Sequence, residues 1–262
     1  MNQASRMGFS QKTFDYLLHI KARKGAGFLL LIDPDKYAAD EMIRLAVDAE
    51  ECGADAILIG GSVMVTHRLD DYIRRLKATV SLPVIIFPGS VMQVSKEADA
   101  MLYLSLVSGR NPEYLIGNHV IAAPALRHLG LEPISTAYLF IESGKMTAAS
   151  FISQTLPIPR YKPEIAAVHA LAAEYIGMKL VYLEAGSGAE LSVPEAMVQA
   201  VSQTVSIPIV VGGGIRSPLE AREKVEAGAS FIVVGNAFEQ RRDKLYLREM
   251  IEATHTKLPK EV

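Results

Sequence analysis

The sequence predicts an α/β fold, a single-domain (β/α)8 (TIM) barrel spanning residues 1–262. Short β-branched runs alternate with longer amphipathic segments, and eight such runs are present. The last two runs, 207–211 and 231–234, each end in glycine at the start of a helical pattern. Barrels of this class commonly bind phosphate at those two turns, and one barrel needs roughly 250 residues. The length and the position of the glycines therefore indicate the same fold.

The eight strand predictions rest on β-branched and aliphatic residues bounded by turn residues. The predicted strands are residues 28–33, 56–59, 84–87, 100–104, 134–141, 180–184, 207–211 and 231–234. Their near-continuous apolar character is typical of parallel strands that are covered on both faces.

Helical patterns separate most of these strands, and several begin at a proline, which suits the first turn of a helix. The predicted helices are residues 39–51, 68–79, 112–129, 163–176, 194–204, 218–227 and 237–253, with a short helical extension before the first strand. Only residues 90–97 separate the third and fourth strands. A crossover helix needs about a dozen residues, so we expect the third helix to be irregular or missing.

The longest interruption is residues 142–162, which contain Pro157 and Pro159. Loops longer than about 12–15 residues are commonly binding loops or lids. This one follows the fifth strand at the end of the barrel where active sites lie, so it predicts a mobile lid.

Composition excludes several partners. A net charge of -2 and a pI of ≈ 6.3 give no basic surface for nucleic acid. A single cysteine, Cys52, permits no internal disulfide and suits a reducing compartment. No apolar run approaches the roughly 18 residues of a membrane span, and residues 1–10 lack a signal-peptide core. We expect a cytoplasmic protein without stable membrane insertion. Its mean hydropathy of +0.20 is compatible with an apolar groove, and surplus apolar surface is compatible with a homo-oligomer.

A phosphate-binding cradle is predicted at the two late turns. Gly212, Gly213 and Gly214 follow the seventh strand, and Gly235 and Asn236 follow the eighth. Glycine lets the backbone approach a ligand closely, and the unpaired N–H groups at the start of a helix favour an anion. Alternatively, these glycines serve only to form tight turns and bind no ligand.

Acidic and hydroxyl groups follow the first two strands. Asp33 and Lys36 lie in Asp-Pro-Asp-Lys after the first strand, and Ser62 follows Gly60 and Gly61 after the second. Two hard oxygen donors at neighbouring strand ends can hold Mg2+ if substrate phosphate completes the coordination. Each residue also has a simpler interpretation, as the N-cap of the following helix.

The sixth strand ends in Tyr-Leu-Glu-Ala-Gly-Ser-Gly-Ala, residues 182–189. A carboxylate at Glu184 can align an alcohol and accept its proton, and Tyr182 adds a phenol if it faces inward. A structural salt bridge is the alternative for Glu184. Gly186 and Gly188 add backbone donors on the side of the glycine cradle.

In order along the chain, these motifs resemble those of the geranylgeranylglyceryl phosphate synthase family, which includes bacterial heptaprenylglyceryl phosphate synthases. The segment 182–188 is the most specific part of the resemblance, and the chain is similar to the second, larger-chain subgroup, whose bacterial members are often oligomeric. The family's missing third barrel helix matches the short connection at 90–97. In part of the family a lysine stands two residues before the metal aspartate, whereas here that residue is Leu31.

The resemblance implies a Mg2+-dependent prenyltransferase that joins a polyprenyl diphosphate, geranylgeranyl by expectation, to the 3-hydroxyl of sn-glycerol 1-phosphate. Asp33 and Ser62 would hold the metal, and Glu184 and Lys36 would be catalytic. The glycerol phosphate would contact Tyr182, Leu183, Glu184, Ala185, Gly186, Ser187, Gly188, Gly213, Gly214, Gly235 and Asn236.

Other function classes stay open on sequence alone. A sugar-phosphate isomerase would use the same cradle but would need an acid and a base on opposing strands. A non-catalytic phosphoprotein or lipid-binding module would keep the cradle and an apolar trench between the early helices and the third connection. The residue that ends such a trench is open among Tyr103, Leu104 and Tyr138.

Overall fold

Eight parallel strands pair in chain order and close into a barrel, because β1 pairs with both β2 and β8. The computed structural model describes residues 11–64, 68–240 and 243–256. The strands are β1 Gly27–Ile32, β2 Ala56–Ile59, β3 Val84–Ile86, β4 Ala100–Leu106, β5 Glu132–Phe140, β6 Leu180–Glu184, β7 Ile209–Gly212 and β8 Phe231–Val234. The predicted (β/α)8 barrel is confirmed.

The observed bounds of β7 and β4 differ from the predicted ones. β7 begins at Ile209 and not at residue 207, since Pro208 has no N–H to donate to a neighbouring strand. β4 extends to Leu106 because it continues to pair with β5, up to Leu106 opposite Tyr138.

The helices lie outside the barrel. They are α1 Lys12–Lys24, α2 Ala39–Glu51, α3 Leu69–Thr79, α4 Asn118–Leu129, α5 Ala148–Ser153, α6 Pro163–Tyr175, α7 Glu195–Ser202, α8 Pro218–Glu226, α9 Asn236–Gln240 and α10 Lys244–Thr254. Two predicted helices are divided: 112–129 begins as a π-helical turn, Glu113–Gly117, and 237–253 consists of α9 and α10. Residues 241–242 of that prediction, and the expectation for residues 1–10, lie outside the described residues.

The connection between β3 and β4 contains turns in place of a helix, as predicted. Buried Gln93 holds these turns: its Oε1 accepts from Gly89 N at 3.0 Å and its Nε2 donates to Gly61 O at 3.0 Å. Because no helix covers this side, the barrel is open to an apolar trench there.

The core has two layers, as expected for a barrel with outer helices. One layer lies between the strands and the helices, and the other fills the barrel interior. Phe14 and Leu17 of α1 belong to the interior layer, and buried Glu132 accepts from Thr13 N at 2.9 Å and Phe14 N at 3.0 Å. α1 therefore closes the amino-terminal end, which leaves the carboxyl end of the strands for a site.

Within the described part of the chain, no helix is both long enough and apolar enough to cross a bilayer.

Candidate functional site

A cavity with a volume of ≈ 610 Å³ lies at the carboxyl ends of the strands. It extends from the barrel mouth into the trench beside the third connection. Most of the predicted site residues line it: Asp33, Lys36, Ser62, Tyr182, Glu184, Gly186, Ser187, Gly188, Gly213, Gly214, Gly235 and Asn236. The residues after β1 and β2 (Asp33, Lys36 and Ser62, the acidic corner) and the glycine turns after β6, β7 and β8 (the glycine corner) thus face one mouth.

Two predicted contacts do not reach the cavity. Leu183 and Ala185 are buried in the layer between barrel and helices. Side chains alternate along a strand, so the strand that points Tyr182 and Glu184 inward must point Leu183 and Ala185 outward. Their side chains therefore point away from the cavity, and their predicted contact with the ligand stays a prediction that only their backbone atoms could satisfy.

The glycine corner is a concave stretch of bare backbone. Gly186, Gly188, Gly213 and Gly214 have φ values of 103°, 68°, 82° and 72°, which side-chain-bearing residues rarely adopt. A Cβ at Gly213 would lie 2.5 Å from Glu184 Oε1 and 2.6 Å from Gly186 N. Only glycine therefore allows the turns after β6 and β7 to pack together.

A hydrogen bond joins the turns after β6 and β8, because Ser187 Oγ donates to Asn236 Oδ1 at 2.9 Å. α9 begins at this junction, directly at the cavity wall. The cradle is therefore one continuous surface built from three strand ends.

The expectation that α8 offers unpaired N–H groups is wrong. Ser217 caps this helix: its Oγ accepts from Glu220 N at 3.2 Å, and Glu220 Oε2 accepts from Ser217 N at 3.0 Å. This capping box satisfies the N–H groups of Ser217 and Glu220, and Pro218 has no N–H to offer. The glycine turn itself, and not the start of α8, forms the cradle.

Glu184 is the buried carboxylate of the cavity. It is 6% exposed, and its Oε1 accepts from Gly186 N at 2.6 Å. Burial raises the pKa of Glu184 to about 7, although the Gly186 N–H and the phenols of Tyr182 and Tyr138 oppose the shift. A carboxyl group that titrates near neutral pH suits proton transfer.

Aromatic rings surround this carboxylate. Tyr182 faces inward, stacks on Phe87 at a centroid distance of 5.2 Å and meets Tyr138 edge-on at 5.3 Å. Burial and the nearby Glu184 raise the pKa of both phenols well above the ordinary value. The Tyr182 hydroxyl is buried against Gly212 and makes no hydrogen bond of standard geometry.

The acidic corner, formed by Asp33, Lys36 and Ser62, is partly buried and held by its own loop. Asp33 Oδ1 accepts from Asp35 N at 3.1 Å, and Lys36 Nζ lies 3.9 Å from Asp33 Oδ2. A Cβ on Gly61 would lie 2.9 Å from Asp33 Oδ2, which places the carboxylate directly against the turn after β2. Asp33 and Ser62 therefore sit at adjoining corners.

The helix-cap alternatives for these two residues are excluded, since Ala38 is the N-cap of α2 and Arg68 is the N-cap of α3. Among the described residues no cluster of three or more His, Cys, Asp or Glu is placed to hold a metal. A carboxylate and a hydroxyl fit Mg2+, which typically takes one or two protein oxygens and completes its shell with water and substrate phosphate.

The apolar trench has different walls from those expected. The third connection forms one wall, as predicted, and contributes Phe87 and Val91. The opposite wall comes from α4 and α5 and not from the early helices. Among the residues considered for its end, Leu104 and Tyr138 pack with the barrel interior. Tyr103 packs against α4, where its hydroxyl donates to His119 O at 2.6 Å.

Sequence reasoning did not assign several cavity residues to the site, among them Tyr114, His119, Lys145 and Arg216. Arg216 was adjacent to the glycine motif, and its guanidinium binds the carbonyl groups of Ala189 and Glu190. The others lie in helical or loop segments whose contacts with the strands cannot be read from a pattern.

The segment 142–162 is more ordered than a plain loop. It contains α5, whose N-cap is Thr147, and an isolated bridge between Ile141 and Ile158. Ala148, Ala149, Ile152 and Ser153 of α5 line the cavity. The segment lies over the mouth, where a lid was predicted.

The sequence is similar to proteins of one family over nearly its whole length. The model of the PcrB family matches residues 19–254. The geranylgeranylglyceryl phosphate synthase of Chitinophaga pinensis is 45% identical, over 95% of this chain and 98% of that protein. The synthase of Korarchaeum cryptofilum is 46% identical, over 90% of this chain and 98% of that protein.

Among solved structures, (S)-3-O-geranylgeranylglyceryl phosphate synthase from Thermoplasma acidophilum, in complex with sn-glycerol-1-phosphate, superposes with a TM-score of 0.86 at 39% identity. The match covers 92% of this chain and 97% of that one.

The raised pKa of Glu184 predicts a pH-dependent effect on stability. A carboxyl group with a folded-state pKa raised from 4.5 to about 7 stabilises the fold below its unfolded pKa, and this contribution is lost as pH rises through about 7. We expect Glu184→Gln to match the unaltered protein in Tm at about pH 5 and to melt a few degrees higher at about pH 8.5, since 1 kcal/mol corresponds to roughly 2–4 °C in a domain of this size.

Thermal unfolding followed by circular dichroism measures both values. The exposed Glu164→Gln variant is the control and should show no pH-dependent gap. An equal Tm difference for Glu184→Gln at both pH values would contradict the assigned burial effect.

Proposed function

The chain belongs to the PcrB family, and we propose from this membership that it is a prenyltransferase of the geranylgeranylglyceryl phosphate synthase type. The observation that carries the proposal is the single cavity shared by a glycine cradle, an acidic corner and an apolar trench. A phosphate, a diphosphate and a polyprenyl chain need these three surfaces. The relative solved with sn-glycerol-1-phosphate supports the first substrate.

The proposed reaction forms an ether. The C1–oxygen bond of a polyprenyl diphosphate breaks, diphosphate leaves with the bonding electrons, and the 3-hydroxyl oxygen of sn-glycerol 1-phosphate bonds to C1. The hydroxyl proton is transferred to a base. We propose geranylgeranyl diphosphate as the donor, supported by the names of the relatives.

The glycerol phosphate is proposed to lie in the cradle, with its phosphate on the turns after β6, β7 and β8. Gly213, Gly214 and Gly235 leave room for it, and Ser187 and Asn236 join the two sides. Fixing the phosphate there would direct the glycerol hydroxyls toward Glu184 and Tyr182, which line the same wall. Holding the hydroxyl near the reacting carbon converts a two-body encounter into a positioned reaction.

Glu184 is proposed to orient the 3-hydroxyl and to accept its proton. The pKa raised to about 7 by burial keeps the group poised between its two protonation states near neutral pH. Tyr182, whose hydroxyl is buried without a hydrogen bond of standard geometry, is proposed to contact the same substrate.

Asp33 and Ser62 are proposed to hold Mg2+, and Lys36 to contact the departing diphosphate. The donors fit this metal, and the carboxylate is accessible at the mouth. Bound there, the ion would neutralise charge on the diphosphate, which favours its departure. Leu31 borders the same corner, so a phosphate contact from that position is not part of the proposal.

The sugar-phosphate isomerase alternative is less well supported. It would need two titratable groups flanking one carbon. Asp33 lies at the acidic corner against Gly61, whereas Glu184 is buried beneath the cradle. The family match also favours the transferase.

We also propose that the protein self-associates. α4 and α6 expose apolar side chains, among them Val120, Ile121, Val168 and Tyr175. A shallow cavity of ≈ 330 Å³ lies between α4 and residues 176–178, which follow α6. Exposed apolar side chains beside a shallow cavity are typical of an interface.

The metal assignment predicts a selective loss of activity. Incubation of the protein with labelled sn-glycerol 1-phosphate, geranylgeranyl diphosphate and Mg2+ should give a butanol-extractable product, and chelation by EDTA should abolish it. Asp33→Ala should lower kcat/KM by at least 10²-fold, roughly 2.7 kcal/mol of transition-state stabilisation. The neighbouring exposed Asp35→Ala, outside the cavity lining, should retain activity.

Full Mg2+-dependent turnover by Asp33→Ala would overturn the metal assignment alone. No extractable product from the unaltered protein, with prenyl diphosphates of several lengths, would overturn the proposed reaction.

Self-association is measured by light scattering on a sizing column. We expect a mass at least twice the 28.5 kDa of one chain. The double variant Val120→Lys, Tyr175→Lys should shift toward the monomer, because burying two unpaired charges in an apolar interface is costly. The control, Leu245→Lys, alters an exposed apolar residue of α10 and should leave the mass unchanged. A monomeric unaltered protein would contradict the proposal.

A further inference from the structure

The short helix α5 lies across the mouth of the cavity and contacts both proposed substrate regions. Ala149, Ile152 and Ser153 face the cavity. The N-cap residue, Thr147, lies instead against the glycine turn after β6. The segment thus connects the trench with the cradle.

The contact between Thr147 and Gly186 is direct. A Cβ built on Gly186 would overlap Thr147 Cγ2 and lie 2.8 Å from Thr147 Cβ. The methyl group of Thr147 therefore packs on the Cα of Gly186. Gly186 also has φ 103°, so its conformation is held by packing in a region that favours glycine.

Gly186 in turn holds Glu184. Its N–H donates to Glu184 Oε1 at 2.6 Å. A hydrogen bond to the charged form of a carboxyl group favours that form and fixes its orientation. Any rotation of Gly186 would weaken this bond.

Thr147 is fixed by the helix that it caps. Its Oγ1 accepts from Ser150 N at 3.3 Å, and its N–H donates to Ser150 Oγ at 3.1 Å. The base of the segment is also anchored: Leu191 N donates to Ser143 O at 3.2 Å. The position of α5 therefore determines where the Thr147 methyl presses.

We propose that Thr147 is a positioning residue, whose methyl group holds Gly186 in the conformation that orients Glu184 toward the substrate hydroxyl. The inference rests on the proposed function and assigns α5 a role beyond covering the cavity. A polyprenyl chain that contacts Ile152 would stabilise α5 in place and so align the base for the second substrate.

The groups around Glu184 stay constant in the test. Tyr182 on its own strand and Tyr138 on β5 face it. The other charged side chains that line the same cavity are Asp33, Lys36, Lys145 and Arg216. Substitutions at Thr147 change none of them.

Two substitutions at Thr147 separate its methyl from its hydroxyl. Thr147→Ser removes the methyl and keeps the cap, whereas Thr147→Val keeps a methyl and removes the cap. For Thr147→Ser we expect kcat to fall about tenfold, while KM for glycerol phosphate changes little. This loss is smaller than the roughly 10²-fold decrease in rate that a misplacement of about 1 Å can cause. The acid limb of its kcat–pH profile should move to higher pH, because a weaker Gly186 N–H bond favours the protonated carboxyl.

Amide hydrogen exchange at Gly186 supplies a readout that needs no turnover. We expect faster exchange in Thr147→Ser than in the unaltered protein and in Thr147→Val, and the pH profile of Thr147→Val should match the unaltered one. Phe151→Ser, on the exposed face of α5, is the control and should change neither readout.

An impaired Thr147→Val beside an unchanged Thr147→Ser would overturn the inference and leave Thr147 as a helix cap only. Equal Gly186 exchange in all variants would also overturn it. Absence of turnover in the unaltered protein would count against the proposed function, while the exchange comparison would still decide this inference.

Discussion

The hydrogen bond from Gly186 N–H to the buried carboxylate of Glu184 is the interaction on which the site depends. It places an ionisable group beneath bare backbone, in surroundings that raise its pKa to about 7. The turns after β6 and β7 approach it closely only because Gly213 has no side chain. The same glycines that would leave room for a phosphate therefore also leave room for the Glu184 carboxyl group beneath it.

The barrel explains why such distant parts of the chain meet. Closure by the pairing of β1 with β8 brings Asp33 and Gly235 to one rim, although they are far apart in sequence. α1 and Glu132 close the opposite end, and the helix-free third connection opens one side to an apolar trench. A mouth lined by charged side chains beside an apolar groove would suit the proposed substrate, which has a diphosphate head and a hydrocarbon tail.

Sequence reasoning predicted the features that local patterns determine. The β-branched runs and glycine turns located eight strands and the rim residues, and the length of the third connection predicted its missing helix. It failed where tertiary contacts decide: strand pleating turned Leu183 and Ala185 away from the site, and Ser217 satisfied the start of α8. The contact of Thr147 with Gly186 carries no sequence signal, because it joins segments that are brought together only by the barrel.

The most direct test of the proposed cradle is the binding of sn-glycerol 1-phosphate, measured by isothermal titration calorimetry without a prenyl donor. Gly213→Ala would place a methyl group 2.5 Å from Glu184 Oε1, in the floor of the cradle. We predict saturable binding by the unaltered protein and a loss of affinity of at least tenfold in a folded Gly213→Ala variant. Equal affinity in the two proteins would contradict the claim that these glycine turns bind the phosphate.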